Sequence, residues 1–589
     1  MEFSNHGRFG RGGEPTGLGL ALECAGGRGL RSNGFWAVAL GVQPQRLRTW
    51  ADGVASDIQQ FVARFRATHG VVPSRWVWLA PRLIHLQQRA VFETVASSKR
   101  LRIHFVAFED TDPGGTWLRE LCERAFGVNR VRHDLAIGMS ALESKQELQA
   151  WFENVERSLH QLGLESRARL FVTASRRSPI ARWAQERYAF LADPLPPTAR
   201  RFLDWQAIPL SPAILYPLAV ARIDLGTWIE MAALDEADIQ LALRLSAFLH
   251  EQGLVGRNRI CWVIPRSWGL AGQWTKLALE LSVGHSSVCP LRVLVGEPLQ
   301  LAFYWSPKDP RQDRAFVVVQ RADDRTAAGK AMLLRRAGYP VAVLKLFRDT
   351  PLAAYLQFVH IVVFSLGYLR GANLACCPHS YELERLLLTY RRAVARLGLD
   401  KWRSGRTVGP SLGQVGQQKE LCLRLGPSAL ASGESEETVD AYARFVQAAY
   451  QSPSSPHVAL LWYGRGLSRD WNRRARRLLE EVADRLFRRQ LRCATEICDE
   501  GMTRRACLEV DRAHKDSLIT LIAVSPPVCS TAPPAATEEL LEFHATRELL
   551  LRRGRPIAVV LLDEVSDQAL DCLDEFFSRV HAKIRRGPL

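Results

Sequence analysis

The stretch "GQWTKLALELSVGHSS" (272–287) sets Glu280, Ser282 and His285 close together, and His360 follows in the apolar run "FVHIVVFSLGYL". Carboxylates and imidazoles can carry protons to and from a bound substrate, and a hydroxyl can hold an anion. Glu280, His285 and His360 are therefore candidate acid–base groups and Ser282 a candidate anion ligand. Each has a plainer counterpart. Ser282, like Ser140, reads more readily as a helix-start or turn hydroxyl than as a ligand, and His285, just past a helix end, equally as a partner of the last carbonyls. His360 reads as a core histidine whose ring nitrogens are satisfied locally. "CATEIC" (Cys493, Cys498) and "CCPH" (Cys376, Cys377, His379) lack a second pair at zinc-site spacing, so no metal is expected.

These residues need elements to position them, and the chain supplies an alternation of strands and helices. Short apolar runs such as "RWVWLA" (75–80), "LRIHFVAF" (101–108), "HDLAIG" (133–138) and "RLFVTA" (169–174) read as buried strands, with helical patterns between them. Such alternation implies parallel sheets covered on both faces. A Pro-rich stretch, "ADPLPPTARR" (192–201), closes the first block. A second block runs through "RICWVIP", the helix over 273–283, "LRVLVG", "AFVVVQ" and "YPVAVLKLF". A third contains "HVALLWY", the basic helix "RDWNRRARRLLEEVADRLFRRQ", "LITLIAV" and "PIAVVLL". The expected organisation is a loose segment over 1–50, α/β blocks over 51–200 and 201–400, a linker and helix over 401–450, and a C-terminal α/β block over 451–589.

With 589 residues and 47% hydrophobic composition the chain can bury a large core. The net charge of +17 permits an anionic partner, yet acids are interleaved with the bases and no long Lys/Arg run occurs. The basic helix carries glutamates at i,i+4-type spacing and reads as an ion-paired surface, so nucleic acid is not an expected partner. Twelve cysteines in a chain this long do not suggest a disulfide framework. The start lacks an apolar signal segment, and the longest apolar run is too short to span a bilayer. A cytoplasmic location without membrane attachment is the expectation.

The order and spacing of weak matches over residues 55–580 resemble the glucose-6-phosphate isomerase family, especially the form fused to transaldolase. The phrases are "LFVTASRRSPIARWAQERYAFLADPLPPTARRF", "AILYPLAVARIDLGTWIE", "VGEPLQLAFYWSPKDPRQDRAFVVV" and "GYLRGANLACCPHSYE". No transaldolase portion is visible. The resemblance implies an α/β fold with two doubly wound parallel-sheet sugar-isomerase (SIS) domains plus the C-terminal α/β block. It also implies interconversion of glucose 6-phosphate and fructose 6-phosphate without a cofactor, and a homodimer or association with a partner enzyme.

Aldose–ketose isomerisation needs a phosphate cradle, a base between C1 and C2, and positive charge to steady the enediolate. The family's catalytic helix has the form Trp-x-x-Gln-x-x-x-Glu-Ser-Thr-Gly-Lys. Laid on Trp274, its glutamine falls on Leu277, its glutamate on Leu281 and its lysine on His285, while Ser282 and Gly284 remain. Glu280 is adjacent but points about 100° away around the helix. The Ser-Gly-Thr-Thr cradle falls on 138–141 and keeps Ser140. The family's Gly-Gly-Arg falls on 204–206, with Gln206 in place of the arginine. Its C-terminal lysine is matched by Lys515, or by positions 508–511 in an ungapped reading. The resemblance thus implies Ser140, Gln206 and Ser282 as substrate ligands for a sugar phosphate or another small anion. Glu280, His285, His360 and Lys515 remain as catalytic candidates in a helix whose base position is a leucine. Three readings follow: an isomerase relative with little or no turnover that works by binding, an active isomerase with a rebuilt acid–base site, and a basic polyanion-binding protein.

Overall fold

A computed structural model describes residues 44–586 apart from 96–101, 112–116, 127–132, 141–145, 174–178, 193–211, 373–377, 403–412, 426–437, 451–455, 465–468, 514–516, 525–533 and some one- or two-residue loop positions. The first unit runs α1 (Pro44–His69), β1 (Arg75–Ala80), α2 (Arg82–Val95), β2 (Arg102–Ala107), α3 (Trp117–Phe126), β3 (Leu135–Ser140), α4 (Gln146–Gln161), β4 (Leu170–Thr173), α5 (Pro179–Glu186) and β5 (Phe190–Ala192). Its strands form one parallel sheet in the order β2-β1-β3-β4-β5.

The second unit runs α6 (Pro212–Val220), α7 (Leu225–Ala232), α8 (Glu236–Leu254), β6 (Arg259–Val263), α9 (Gly269–Val283), β7 (Arg292–Val295), β8 (Arg314–Arg321), α10 (Arg325–Arg336), β9 (Val341–Leu346), α11 (Leu352–Leu369) and α12 (Pro378–Leu397). Its parallel sheet is ordered β7-β6-β8-β9.

The third unit holds β10 (Gly413–Gln418), β11 (Leu421–Leu425), α13 (Thr438–Tyr450), β12 (His457–Tyr463), α14 (Arg469–Val482), β13 (Ala494–Cys498), α15 (Gly501–Ala513), β14 (Ser517–Val524), α16 (Pro534–Arg552), β15 (Ile557–Leu562) and α17 (Asp567–Arg586). Its sheet order is β10-β11-β15-β14-β12-β13, with β11 antiparallel to both its neighbours, β10 and β15, and the other pairs parallel. In each sheet the first strand of the parallel part, β1, β6 or β12, sits between the second and the third, so the winding reverses between β1 and β3, β6 and β8, and β12 and β14.

The strand residues explain why both faces of each sheet are covered. In β1, Trp76 and Trp78 join one core while Val77 and Leu79 join the other. Along β8, Val317 and Val319 face one side and Phe316 and Val318 the other. In β12, Leu460 and Trp462 oppose Leu461 and Tyr463. Side chains alternate along a strand, so an unbroken apolar run demands two apolar coverings. The expected α/β class, with two doubly wound parallel sheets and a C-terminal α/β block, is the observed architecture. Two boundaries differ: α1 begins at Pro44, ahead of residue 51, and the segment expected as linker and helix supplies β10 and β11.

A slab of helices fills the space between the first two sheets. One continuous core joins Trp76, Trp78 and Phe171 of the first sheet to Trp262 and Val317 of the second, through residues of α1, α2, α6–α9 and α11. Helix α11 is 18 residues long and apolar enough to cross a membrane by length and composition, longer than the run read from the sequence. Of this helix 89% is buried, packed with α7, α8 and α9, so it reads as a core helix.

At the reversal point of the first sheet, Gly138 of β3 lies beside Trp78 of β1, and a methyl group there would come within 2.2 Å of the indole ring. Two residues on, the Trp78 indole N–H donates to Ser140 Oγ at 2.8 Å. Gly138→Ala should therefore displace Trp78 and destabilise the fold by about 1–3 kcal/mol through overpacking. Ser140→Ala should cost a similar amount by leaving the indole donor unsatisfied. Chemical denaturation monitored by tryptophan fluorescence checks both.

Candidate functional site

Helix α9 carries the residues on which the chemistry would turn. Its apolar stripe, Trp274, Leu277, Ala278 and Leu281, faces the inter-sheet core, and Leu281 is 3% exposed. Position 281 thus lies among hydrocarbon rather than at an open crevice. The Ser282 hydroxyl donates to the Ala278 carbonyl four residues earlier, the local bond a buried helical serine makes when no ligand is at hand. His360 on α11 is buried with its ring beside Trp274, the centroids 5.9 Å apart. His285 lies half-buried just beyond Gly284, the C-cap of α9. A methyl group on Gly284 would meet Val510 Cγ2 of α15 at 2.6 Å, so the glycine retained there serves a helix–helix contact.

Glu280 has a different environment. Its Oε1 accepts from the Val293 backbone N–H at 2.8 Å and from Lys276 Nζ at 3.0 Å, and no part of the residue is exposed. Lys276 also donates to the Val293 carbonyl at 3.1 Å and pairs with Glu496 of β13 at 2.5 Å. The second oxygen of Glu496 meets Arg292 of β7 at 3.2 Å, and Arg292 reaches Cys507 Sγ of α15 at 3.2 Å. Burial penalises the Lys276 ammonium, but the flanking carboxylates outweigh that and hold it above its ordinary range. Burial raises the Glu280 carboxyl despite Lys276, whereas Lys276 and Arg292 overcome burial at Glu496 and keep it low. His457, 3.7 Å from Glu496, is driven well below its usual range by burial and by Arg292, and is therefore neutral. A carboxylate enclosed in this way offers a substrate no approach; its geometry is that of a strut between α9, β7 and β13.

The sulfur atoms of Cys498 and Cys507 and a Glu496 oxygen lie within 4.8 Å of one another, the one group of potential metal ligands among the described residues. The neighbours oppose a cation: Lys276 and Arg292 already occupy Glu496, Arg292 donates to Cys507, and burial pushes the Cys498 thiol well up, keeping it protonated. A second buried cluster lies at the carboxyl end of β12. There Arg504 pairs with Glu539 and Glu542 at 2.9 Å each and donates to the Trp462 carbonyl at 2.6 Å. The basic face of α14 is ion-paired, with Arg474 to Asp567 and Arg476 to Asp499 at 2.5 Å each.

The candidates do not converge on one cleft. Ser140 belongs to the first sheet and is occupied by Trp78, Ser282 and Glu280 point along different faces of α9, and only His360 meets the α9 stripe, through Trp274. Gln206 and Lys515 lie outside the described residues. A groove of about 1160 Å³ runs between α1 and the α6–α7 turn, and none of the described candidate residues lines it. Sequence reasoning missed Lys276, Arg292, Glu496 and Arg504. Lys276 and Glu280 did leave a signal: two opposite charges four apart in an otherwise apolar helix, a pattern that calls for buried pairing.

No family model matches the chain, and no curated protein does. Solved structures similar to it include a hypothetical protein from Thermus thermophilus, 17% identical with a TM-score of 0.46 over 64% of this chain and 94% of that one. A glucose-6-phosphate isomerase from Chlamydia trachomatis is 13% identical, TM-score 0.45, over 66% and 87% of the two chains. A tagatose-6-phosphate ketose/aldose isomerase from Escherichia coli is 12% identical, TM-score 0.37, over 58% and 94%.

Lys276→Met leaves Glu280 without its cation and Glu496 with Arg292 alone, and should cost about 3–5 kcal/mol. Adding Glu280→Gln, which keeps the acceptor for Val293, should recover part of that loss. Equilibrium unfolding of the two singles and the double variant measures the coupling.

Proposed function

We propose that this chain is a diverged relative of the glucose-6-phosphate isomerases that has little or no turnover and acts by binding a sugar phosphate, another small anion or a partner enzyme. The observation that supports the reading is the state of neighbouring positions on α9. Leu281, where the resemblance would have the base, sits in the hydrophobic core, and the adjacent Glu280 is engaged by Lys276 and Val293. A hydrocarbon cannot abstract the C2 proton, and loss of one acid–base group lowers rate by roughly 10²–10⁴-fold. Here the absence compounds with an occupied Ser140 and an internally bonded Ser282.

The second reading, a sugar-phosphate isomerase with a rebuilt acid–base site, draws its support from His285. Among the described candidates it alone keeps exposed surface, at the end of the helix in question. Imidazole near neutral pH is a competent proton carrier.

A coupled spectrophotometric assay with glucose 6-phosphate and with fructose 6-phosphate separates the two. The expected result is no conversion above the enzyme-free blank, together with binding of the sugar phosphate, of inorganic phosphate or of a partner. Conversion that disappears in His285→Ala, in a variant whose circular dichroism matches the parent, would establish the rebuilt site and overturn the proposal.

A further inference from the structure

Among the described residues three non-glycine positions adopt a left-handed backbone: Ala168, Arg222 and Arg492. Arg222, at φ +59°, stands where α6 ends. Its backbone N–H donates to the Ala219 carbonyl at 3.0 Å, and that of Ile223 to the Leu218 carbonyl at 3.0 Å. In this closing turn glycine, or sometimes asparagine, takes the left-handed position, because a larger side chain crowds the backbone there. Ala168 is buried in the turn before β4, and Arg492 lays its guanidinium over the Trp305 ring at 5.0 Å. Arg222 has no such contact. It is exposed, and among the described residues nothing pairs with its guanidinium.

Arg222 instead lines the groove of about 1160 Å³ between α1 and the α6–α7 turn. Ile58, Val62, Val72 and Ile223 give that groove an apolar bed, and Val72 is 46% exposed. Its other charges are accounted for. Asp52 and Arg66 lie on α1, about 21 Å apart at the helical rise, and balance each other. Asp224 caps α7, accepting from the Gly226 backbone N–H at 3.0 Å and from the Thr227 hydroxyl, where the helix dipole favours its negative charge. Arg222 is the charge left without a counterpart. A strained backbone that sets a free guanidinium beside apolar surface is a pattern of ligand clamps.

We propose that the groove binds an amphipathic organic monoanion, a long-chain carboxylate, with its head group on Arg222 and its hydrocarbon chain along the bed of Ile58, Val62, Val72 and Ile223. A guanidinium receives a carboxylate through two parallel N–H bonds, stronger than neutral ones. The chain removes apolar area from water on both partners. Asp52 and Asp224 disfavour a second anionic group, so a single head charge is selected. No residue of α9 lines the groove, so this proposal and the sugar-phosphate reading fail separately.

Isothermal titration calorimetry of the full chain with dodecanoate, held below its micelle concentration, tests the assignment. Saturable binding of dodecanoate is expected, with none of acetate or of dodecyltrimethylammonium at the same concentration. Arg222→Gly should weaken dodecanoate binding by roughly tenfold or more, since the charge-assisted pair is lost. The same variant should raise the thermal unfolding midpoint, because glycine takes the left-handed position without strain. Arg222→Lys keeps the charge and should retain most of the binding. An arginine that served the turn alone would shift the midpoint of Arg222→Gly and leave its affinity unchanged, which would overturn the proposal. So would the absence of saturable binding, or equal affinity for dodecyltrimethylammonium. Co-sedimentation with phosphatidylglycerol vesicles without binding of monomeric dodecanoate would assign the groove to a lipid surface and overturn it too.

Discussion

A single buried ammonium, that of Lys276, ties three parts of the molecule together. It reaches Glu280 on its own helix, the Val293 carbonyl on β7 and Glu496 on β13, and Arg292 completes the ring from β7 to Glu496. Charges taken out of water are tolerated only when their partners are in place, so removing one leaves its counterpart stranded. The network therefore fixes the seating of the C-terminal unit on the second sheet. Helix α9 stands at the centre: its leucines face the inter-sheet core, its charges face β7 and β13, and Gly284 admits α15.

This division of faces bears on chemistry. A general base must take up and release protons while a substrate comes and goes, which requires access and a carboxylate not already committed. On α9 neither position meets that requirement: position 281 is hydrocarbon and position 280 is structural. The same holds at the end of β3, where Gly138 accommodates the Trp78 ring and Ser140 accepts its N–H. Both residues are engaged in holding a tryptophan between the sheets.

The strands with long apolar runs, β1, β6, β8, β9, β12, β14 and β15, were legible because burial on both faces leaves few polar positions in the pattern. Those that escaped notice have physical reasons. β10, "GQVGQQ", is an edge strand whose glycines and glutamines read as loop. β13, "ATEIC", interrupts its apolar pattern with Glu496, whose partners Lys276 and Arg292 lie far away along the chain. β5 is three residues long. At the site, the leucine at 281 could be read directly, whereas the role of Ser140, accepting from the Trp78 indole of the neighbouring strand, could not. The spacing of Lys276 and Glu280 hinted at their pairing, but the rest of the commitment was not legible, since one partner is a backbone N–H from the following strand and the lysine is shared with a glutamate from another unit.

The hydrophobic helix α11 has a consequence for how the chain is made. Its packing partners α7, α8 and α9 all precede it in sequence. During synthesis from the N-terminus, the surfaces that cover it have already left the ribosome when it emerges, and a segment greasy enough for a bilayer finds a ready-made protein bed. Relocating that helix ahead of its partners, as a circular permutation opened between 346 and 352 would do, would present it to water and to chaperones unaccompanied.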